Sequence, residues 1–187
     1  GQATTYQLQP TTILDLGTGS GNVAISIAKN TQVPYKILAT DVSASALKVA
    51  KQNAKLHGVE DKIIFLQSDL LGTKNVQLRN IGTTDIIVTN LPYIPSARIP
   101  YLDPSVKDFE PKVALDGGED GFKLYRKLFQ QIRDKNWQPR LIIGEIDYTH
   151  GELAATEAQK FFPNAEIEIK TDLAHLQRIL TIKHPTD

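Results

Sequence analysis

Short unbroken apolar runs alternate along this chain with longer stretches in which apolar residues recur every third or fourth position. Residues 12–16 predict a buried strand, followed by a glycine-rich turn at 17–21 and a helix over 22–29. Residues 36–40 predict a second strand, after which Ser43 is placed to N-cap a helix. In that helix Leu47, Ala50 and Ala54 share one face, and Gly58 stops it. Residues 62–66 and 85–89 predict the third and fourth strands. A stretch rich in Pro, Gly and Asp, residues 90–121, predicts a long loop. The next helix brings Leu124, Tyr125, Leu128, Phe129 and Ile132 to one side. Residues 141–143 predict a fifth strand and 151–161 a helix with Ala154, Ala158 and Phe161 inward. Two closing strands follow. In the first, Ala165, Ile167 and Ile169 alternate with Glu166, Glu168 and Lys170, and residues 179–182 repeat the habit loosely. Alternation of this kind belongs near an antiparallel edge, whereas continuous apolar runs belong to parallel strands buried on both faces.

Strands alternating with helices predict an α/β fold: a doubly wound, mostly parallel seven-stranded sheet with helices on both faces and an antiparallel strand near the C-terminal edge. In such sheets ligands bind beyond the carboxyl ends of the strands, where the strand order reverses. The polar residues that stand out fall at or just past those ends.

Composition narrows the classes. The 187 residues fit one domain, with 41% hydrophobic and 22% charged residues. No apolar run is long enough to span a membrane. There is no cysteine, hence no disulfide or thiolate metal site, and the four histidines have no metal-ligand spacing, so no metal is expected. The polar start, with no basic stretch leading into an apolar one, fits a cytoplasmic protein. Twenty-one basic and 21 acidic residues balance to zero, which speaks against a chain built to grip a nucleic-acid backbone.

Asp15-Leu-Gly17-Thr18-Gly19-Ser20-Gly21 joins the first strand to the first helix. Glycines there let the backbone turn sharply and approach a ligand. A dinucleotide fingerprint would put its third glycine at position 22, but Asn22 stands there and the glycine comes one step early. Asp41 ends the second strand, where a carboxylate can accept from both hydroxyls of a ribose. Asp69 and Leu70 follow the third, where an acceptor beside an apolar residue suits an adenine. Each aspartate alone fits a turn or helix cap; three such features at successive strand ends fit a nucleoside site better. The arrangement resembles the class I methyltransferases. That resemblance implies S-adenosylmethionine as cofactor, with residues 17–21 along its methionine part, Asp41 on the ribose, Asp69 and Leu70 at the adenine, and Asp15 behind the glycine loop facing the amino group.

Asn90-Leu91-Pro92-Tyr93 directly follows the fourth strand. An amide nitrogen is a poor nucleophile because its lone pair is delocalised, so a site acting on one must hold the NH2 protons and aim the nitrogen. The Asn90 side-chain oxygen and the Leu91 carbonyl are acceptors of that kind. Pro92 stiffens the segment and Tyr93 offers a flat wall. A loop with an Asn cap and a Pro turn is the alternative reading of the tetrapeptide taken alone. The motif is similar to the Asn-Pro-Pro-Tyr signature of enzymes that methylate planar NH2 groups, from which Leu91 departs, and to that of ribosomal RNA adenine dimethyltransferases. Asn90 would also border the cofactor.

Asp108-Phe-Glu-Pro111, the run Ala114-Leu-Asp-Gly-Gly-Glu-Asp-Gly121, and Thr171-Asp-Leu-Ala174 resemble, in order and spacing, the release factor glutamine methyltransferases of the HemK type. The resemblance implies N5-methylation of the glutamine in a Gly-Gly-Gln motif of a peptide chain release factor as protein partner, without direct nucleic-acid binding. It also leads to the expectation of a single catalytic domain over 1–187 without the family's helical N-terminal domain. Asp147 and His150 depart from the family pattern and read as a surface pair. Two alternatives stand beside this reading: an amino-methyltransferase acting on adenine in RNA or DNA, and a silent module that binds S-adenosylmethionine without catalysis.

Overall fold

The computed structural model describes residues 11–32, 34–72 and 85–185. Seven strands form one sheet: β1 (Thr11–Leu16), β2 (Tyr35–Asp41), β3 (Ile63–Gln67), β4 (Ile86–Thr89), β5 (Leu141–Glu145), β6 (Glu166–Thr171) and β7 (Gln177–Lys183). Their order is 3-2-1-4-5-7-6. All pairings from β3 through β5 are parallel, and β7 runs antiparallel to both β5 and β6. The predicted antiparallel strand is therefore β7, slotted between β5 and β6 because a tight connection forces β6 and β7 into a hairpin.

Four main helices cover the sheet: α1 (Asn22–Asn30), α2 (Ala44–Leu56), α3 (Lys123–Asp134) and α4 (Gly151–Phe161). Alternate residues of the central strands serve opposite faces. Ile13, Ile37 and Ala39 pack with Ala24, Ile25, Ala28 and Ala54 from α1 and α2. Leu14, Leu16 and Leu38 pack with Tyr125, Leu128, Phe129 and Ile132 of α3 and with Ala154 and Ala158 of α4. The α3 stripe is the heaviest part of the core. Its four large side chains are fully buried, each contributing roughly 1.5–3 kcal/mol of transfer free energy. Leu124 and Phe161, expected inward, are only half-buried, and Phe162 takes the inner place one residue on.

The helix ends follow local chemistry. The Ser43 hydroxyl accepts from Ala46 N–H at 3.2 Å, capping α2. Gly58, with φ of 65°, closes it while Val59 N–H bonds Ala54 C=O. The stretch 90–121, predicted as loop, is more ordered than that. It holds a 3-10 segment (Ser96–Tyr101) and two single helical turns (Pro104–Lys107 and Lys112–Leu115). Asp103 caps one turn and prolines start both the others, signals too short to register as periodicity. No helix among the described residues is long and apolar enough to cross a membrane.

Candidate active site

β1 has its helix-side partner β2 on one flank and β4 on the other, so the order reverses between β1 and β4. The carboxyl ends of these strands deliver the glycine turn and the Asn90 segment to the same place.

The turn is clamped from below. Asp15 is buried, and its Oδ2 accepts from the Thr18 hydroxyl at 2.6 Å and from Ala24 N–H at 3.2 Å. Ala24 sits in the first turn of α1, whose N-cap Gly21 supplies no side chain, so Asp15 caps that helix from a distance. Burial raises its pKa from 3.8 to about 6 against the pull of those two bonds. This places Asp15 under the loop as a brace. Gly17, Gly19 and Gly21 all have positive φ. A Cβ at Gly21 would press on Ile25 and Ala50 within 3.1 to 3.3 Å, so this glycine lets α1 pack on α2. A Cβ at Gly19 would meet nothing within 4 Å. The crown of the turn faces open space.

Asp41 closes the turn from the side. Its Oδ2 accepts from Gly19 N–H at 2.9 Å and its Oδ1 from Ser43 N–H at 2.8 Å. Both oxygens keep free lone pairs for further donors. Asp69 is exposed and pairs with Lys127 of α3. Leu70 turns inward with φ of 53°, and its side chain joins the core beside Asp69. Ser20 lies at the rim, its carbonyl held by Asn53 Nδ2 at 2.9 Å.

Beyond β4, Asn90 is exposed and Leu91 is buried at 2% exposure, its methyl 3.4 Å from where a Gly17 Cβ would stand. Packing against the glycine turn anchors Leu91 and supplies the rigidity that a second proline would give. Pro92 and Tyr93 are braced by the segment around Asp116. Ile94 bridges to Asp116, Ile94 N–H bonds Leu115 C=O, Gly117 N–H bonds Ile94 C=O, and Ser96 N–H bonds Gly118 C=O. The glycines of that segment are needed for close approach. A Cβ at Gly117 would stand 2.8 Å from Pro92 C=O, and one at Gly121 would stand 2.2 Å from Tyr93 C=O. The second motif is thus the buttress of the first.

Glu145, at the end of β5, is the site residue that sequence reasoning missed. Asn90 Nδ2 donates to its Oε2 at 3.0 Å and Tyr93 Oη to its Oε1 at 3.1 Å. Burial and then the Glu145 charge push the Tyr93 phenol above its usual pKa, so it stays a donor. Fifty-five residues separate Asn90 from Glu145, and the one available signal was a carboxylate at a strand end. A cleft of about 490 Å³ opens here, lined by Val23, Thr89, Asn90, Glu145, Asp172 and Arg178.

Asp147 and His150 are not a surface pair. Both are 6% exposed. Asp147 Oδ1 accepts from Thr149 N–H and its hydroxyl, and Arg98 stands 3.5 Å away. His150 is wedged edge-on to Phe122 and beside Gly121. Burial lowers its pKa and keeps the ring neutral. His150 backs Gly121, which lies against Tyr93 C=O, and Asp147 pairs with Arg98; polar residues at a strand end simply look superficial in a sequence.

Comparison with known proteins agrees with this construction. The family model of ribosomal protein L11 methyltransferase (PrmA) matches residues 3–95, which run from before the glycine turn through Tyr93. The release factor glutamine methyltransferase of Bacillus cereus is 33% identical over 168 residues, covering 90% of this chain and 57% of the relative. That of Dictyoglomus turgidum is 40% identical over 172 residues, covering 91% and 58%. The solved ribosomal protein L11 methylase of Lactobacillus delbrueckii subsp. bulgaricus shares the fold at a TM-score of 0.63 and 21% identity, covering 96% of this chain and 73% of that one. The sheet order and these matches define a class I methyltransferase. More narrowly, about nine tenths of the chain is similar to the release factor glutamine methyltransferases, and it spans a little over half the length of these curated relatives.

Proposed function

We propose that this chain transfers a methyl group from S-adenosylmethionine to the side-chain amide of the glutamine in a Gly-Gly-Gln motif of a peptide chain release factor. The observation that carries the reading is Asn90, exposed at the mouth of the cleft with its nitrogen engaged by Glu145 and its oxygen left for a donor.

The cofactor fits the residues present. Open space above Gly19, the Asp41 carboxylate beside it and the exposed Asp69 carboxylate one strand further give room and acceptors for an aminoacyl chain, a ribose and an adenine amino group. Residues 17–21, Asp41, Asp69 with Leu70, and Asn90 would hold it; Asp15 would act through the loop it braces. Bound there, it would supply an electrophilic methyl on a sulfonium. The protein's own contribution is orientation. The Asn90 oxygen and the Leu91 carbonyl accept from the two protons of the incoming NH2 group, Pro92 fixes their spacing, and the neutral Tyr93 ring bounds the planar amide.

A protein acceptor suits the rim better than a nucleic acid. Residues 90–121 carry six acids (Asp103, Asp108, Glu110, Asp116, Glu119 and Asp120) against three bases. Large apolar side chains stand exposed on the segments that follow β4, β5 and β6, among them Tyr101, Phe109, Tyr148 and Leu173. Phosphate backbones call for the reverse. Methyl-labelled S-adenosylmethionine offered with a release factor, ribosomal protein L11, structured RNA or duplex DNA tests this. Label should enter the release factor; label in RNA or DNA would replace the proposal with the adenine reading, and binding without any transfer would favour the silent module.

A further inference from the structure

We infer that Glu145 is the positioning residue of this site, its carboxylate locking Asn90 and Tyr93 together so that the Asn90 side-chain oxygen faces the cleft. The inference rests on the reading of Asn90 as the acceptor for the substrate amide. The two ends of an asparagine amide have nearly the same shape and differ only in that one donates and the other accepts. Sterics alone would let Asn90 flip. An ionised carboxylate can only accept, so the atom 3.0 Å from Glu145 Oε2 has to be Nδ2. Planarity of the amide then turns Oδ1 away from Glu145. Without that constraint Asn90 would offer its NH2 group to another NH2 group for part of the time, and a flipped Asn90 repels the substrate it should hold.

The other carboxylate oxygen accepts from Tyr93 at 3.1 Å, and Arg178 Nη1 stands 3.5 Å from the same phenol oxygen while its guanidinium lies 5.4 Å over the Tyr148 ring. Glu145 is held by the core in turn. Its backbone carbonyl accepts from the Tyr125 hydroxyl at 2.5 Å, and Tyr125 is fully buried. The Tyr125 ring lies directly on Gly144, where a Cβ would fall 2.6 Å from the hydroxyl oxygen. A continuous line of contacts therefore runs from the α3 core through Tyr125 and the end of β5 to both residues of the acceptor segment.

Glu145→Gln separates positioning from bulk, because glutamine has one acceptor oxygen for two donors and keeps the size of the side chain. Proton–nitrogen spectra of the wild type should show the Asn90 side-chain amide, assigned by its disappearance in Asn90→Ala, with one proton shifted and protected from exchange. In Glu145→Gln that protection should vanish with an unchanged melting temperature. An Asn90 amide that already exchanges like a free asparagine in the wild type would overturn the inference, as would an unaltered spectrum in the variant. With a release factor as acceptor, kcat for Glu145→Gln should fall roughly 10- to 100-fold, the scale of a lost charge-assisted hydrogen bond, with cofactor affinity held. Wild-type kcat in the variant, or a loss confined to cofactor affinity or melting temperature, would also overturn it. If the wild type methylates no release factor, the proposed function fails while the spectra still decide the role of Glu145.

Discussion

Asp41 and Asn90 stand on neighbouring halves of one site, and their substitution should separate binding from transfer. Asp41→Ala removes a carboxylate that faces the open crown of the glycine turn, and cofactor affinity should drop about 10- to 100-fold by calorimetry. Asn90→Ala should leave that affinity within a few-fold and abolish methyl transfer. Normal turnover in the second variant would remove Asn90 from its assigned role. Asp15 makes a different prediction. In the folded protein it keeps its proton up to about 6, compared with 3.8 ordinarily. Between those values the native state binds more protons than the unfolded chain, so this group's contribution is complete below about pH 4 and is lost as pH rises through about 6. Asp15→Asn retains one acceptor oxygen for Thr18 and Ala24 and has nothing to ionise. Relative to wild type it should gain, from acid to neutral pH, at most about 3 kcal/mol in urea unfolding. An equal gap at both pH values would contradict the buried acid.

Strands and helices were largely legible because each carries its own period. Ile13 to Leu16 and Ile86 to Thr89 read as buried parallel strands, and the α3 stripe reads as a helix face. Ser43 and Gly58 marked the ends of α2 correctly for reasons of local hydrogen bonding. What could not be read was how segments without a period meet. The Asp116 to Gly121 run read only as part of a long loop, yet it backs the Pro92–Ser96 segment through main-chain bonds. Asp147 and His150 looked superficial and are buried. In each case the deciding partner lies far away in sequence, and a one-dimensional pattern carries no record of it. The buttress yields its own prediction. Gly121→Ala places a Cβ against Tyr93 C=O at a residue with φ of 78°. It should cost about 1–3 kcal/mol of stability and reduce transfer more than cofactor binding. A variant as stable and active as wild type would mean that the two segments do not lean on each other.

Across the whole molecule, the sheet divides the labour. Carboxyl ends of β1 to β3 present the residues proposed to hold the cofactor, those of β4 and β5 present Asn90 and Glu145, and the segments that follow them carry exposed apolar side chains and an excess of acids. Phe109 is 84% exposed and Leu173 fully so, a cost in water that contact with a protein partner would repay. Replacing both with Asp should raise KM for a release factor roughly tenfold, about 1.4 kcal/mol, with kcat, cofactor affinity and melting temperature unchanged. An unmoved KM would take the rim out of substrate docking.

The central claim is that this cleft aims a methyl group at one planar amide nitrogen. Mass-spectrometric mapping of a release factor after incubation with the protein and S-adenosylmethionine tests it most directly. One added methyl on the side-chain nitrogen of the Gly-Gly-Gln glutamine, absent with Asn90→Ala, is the predicted result. A methyl on any other residue, or on that glutamine regardless of Asn90, would contradict it.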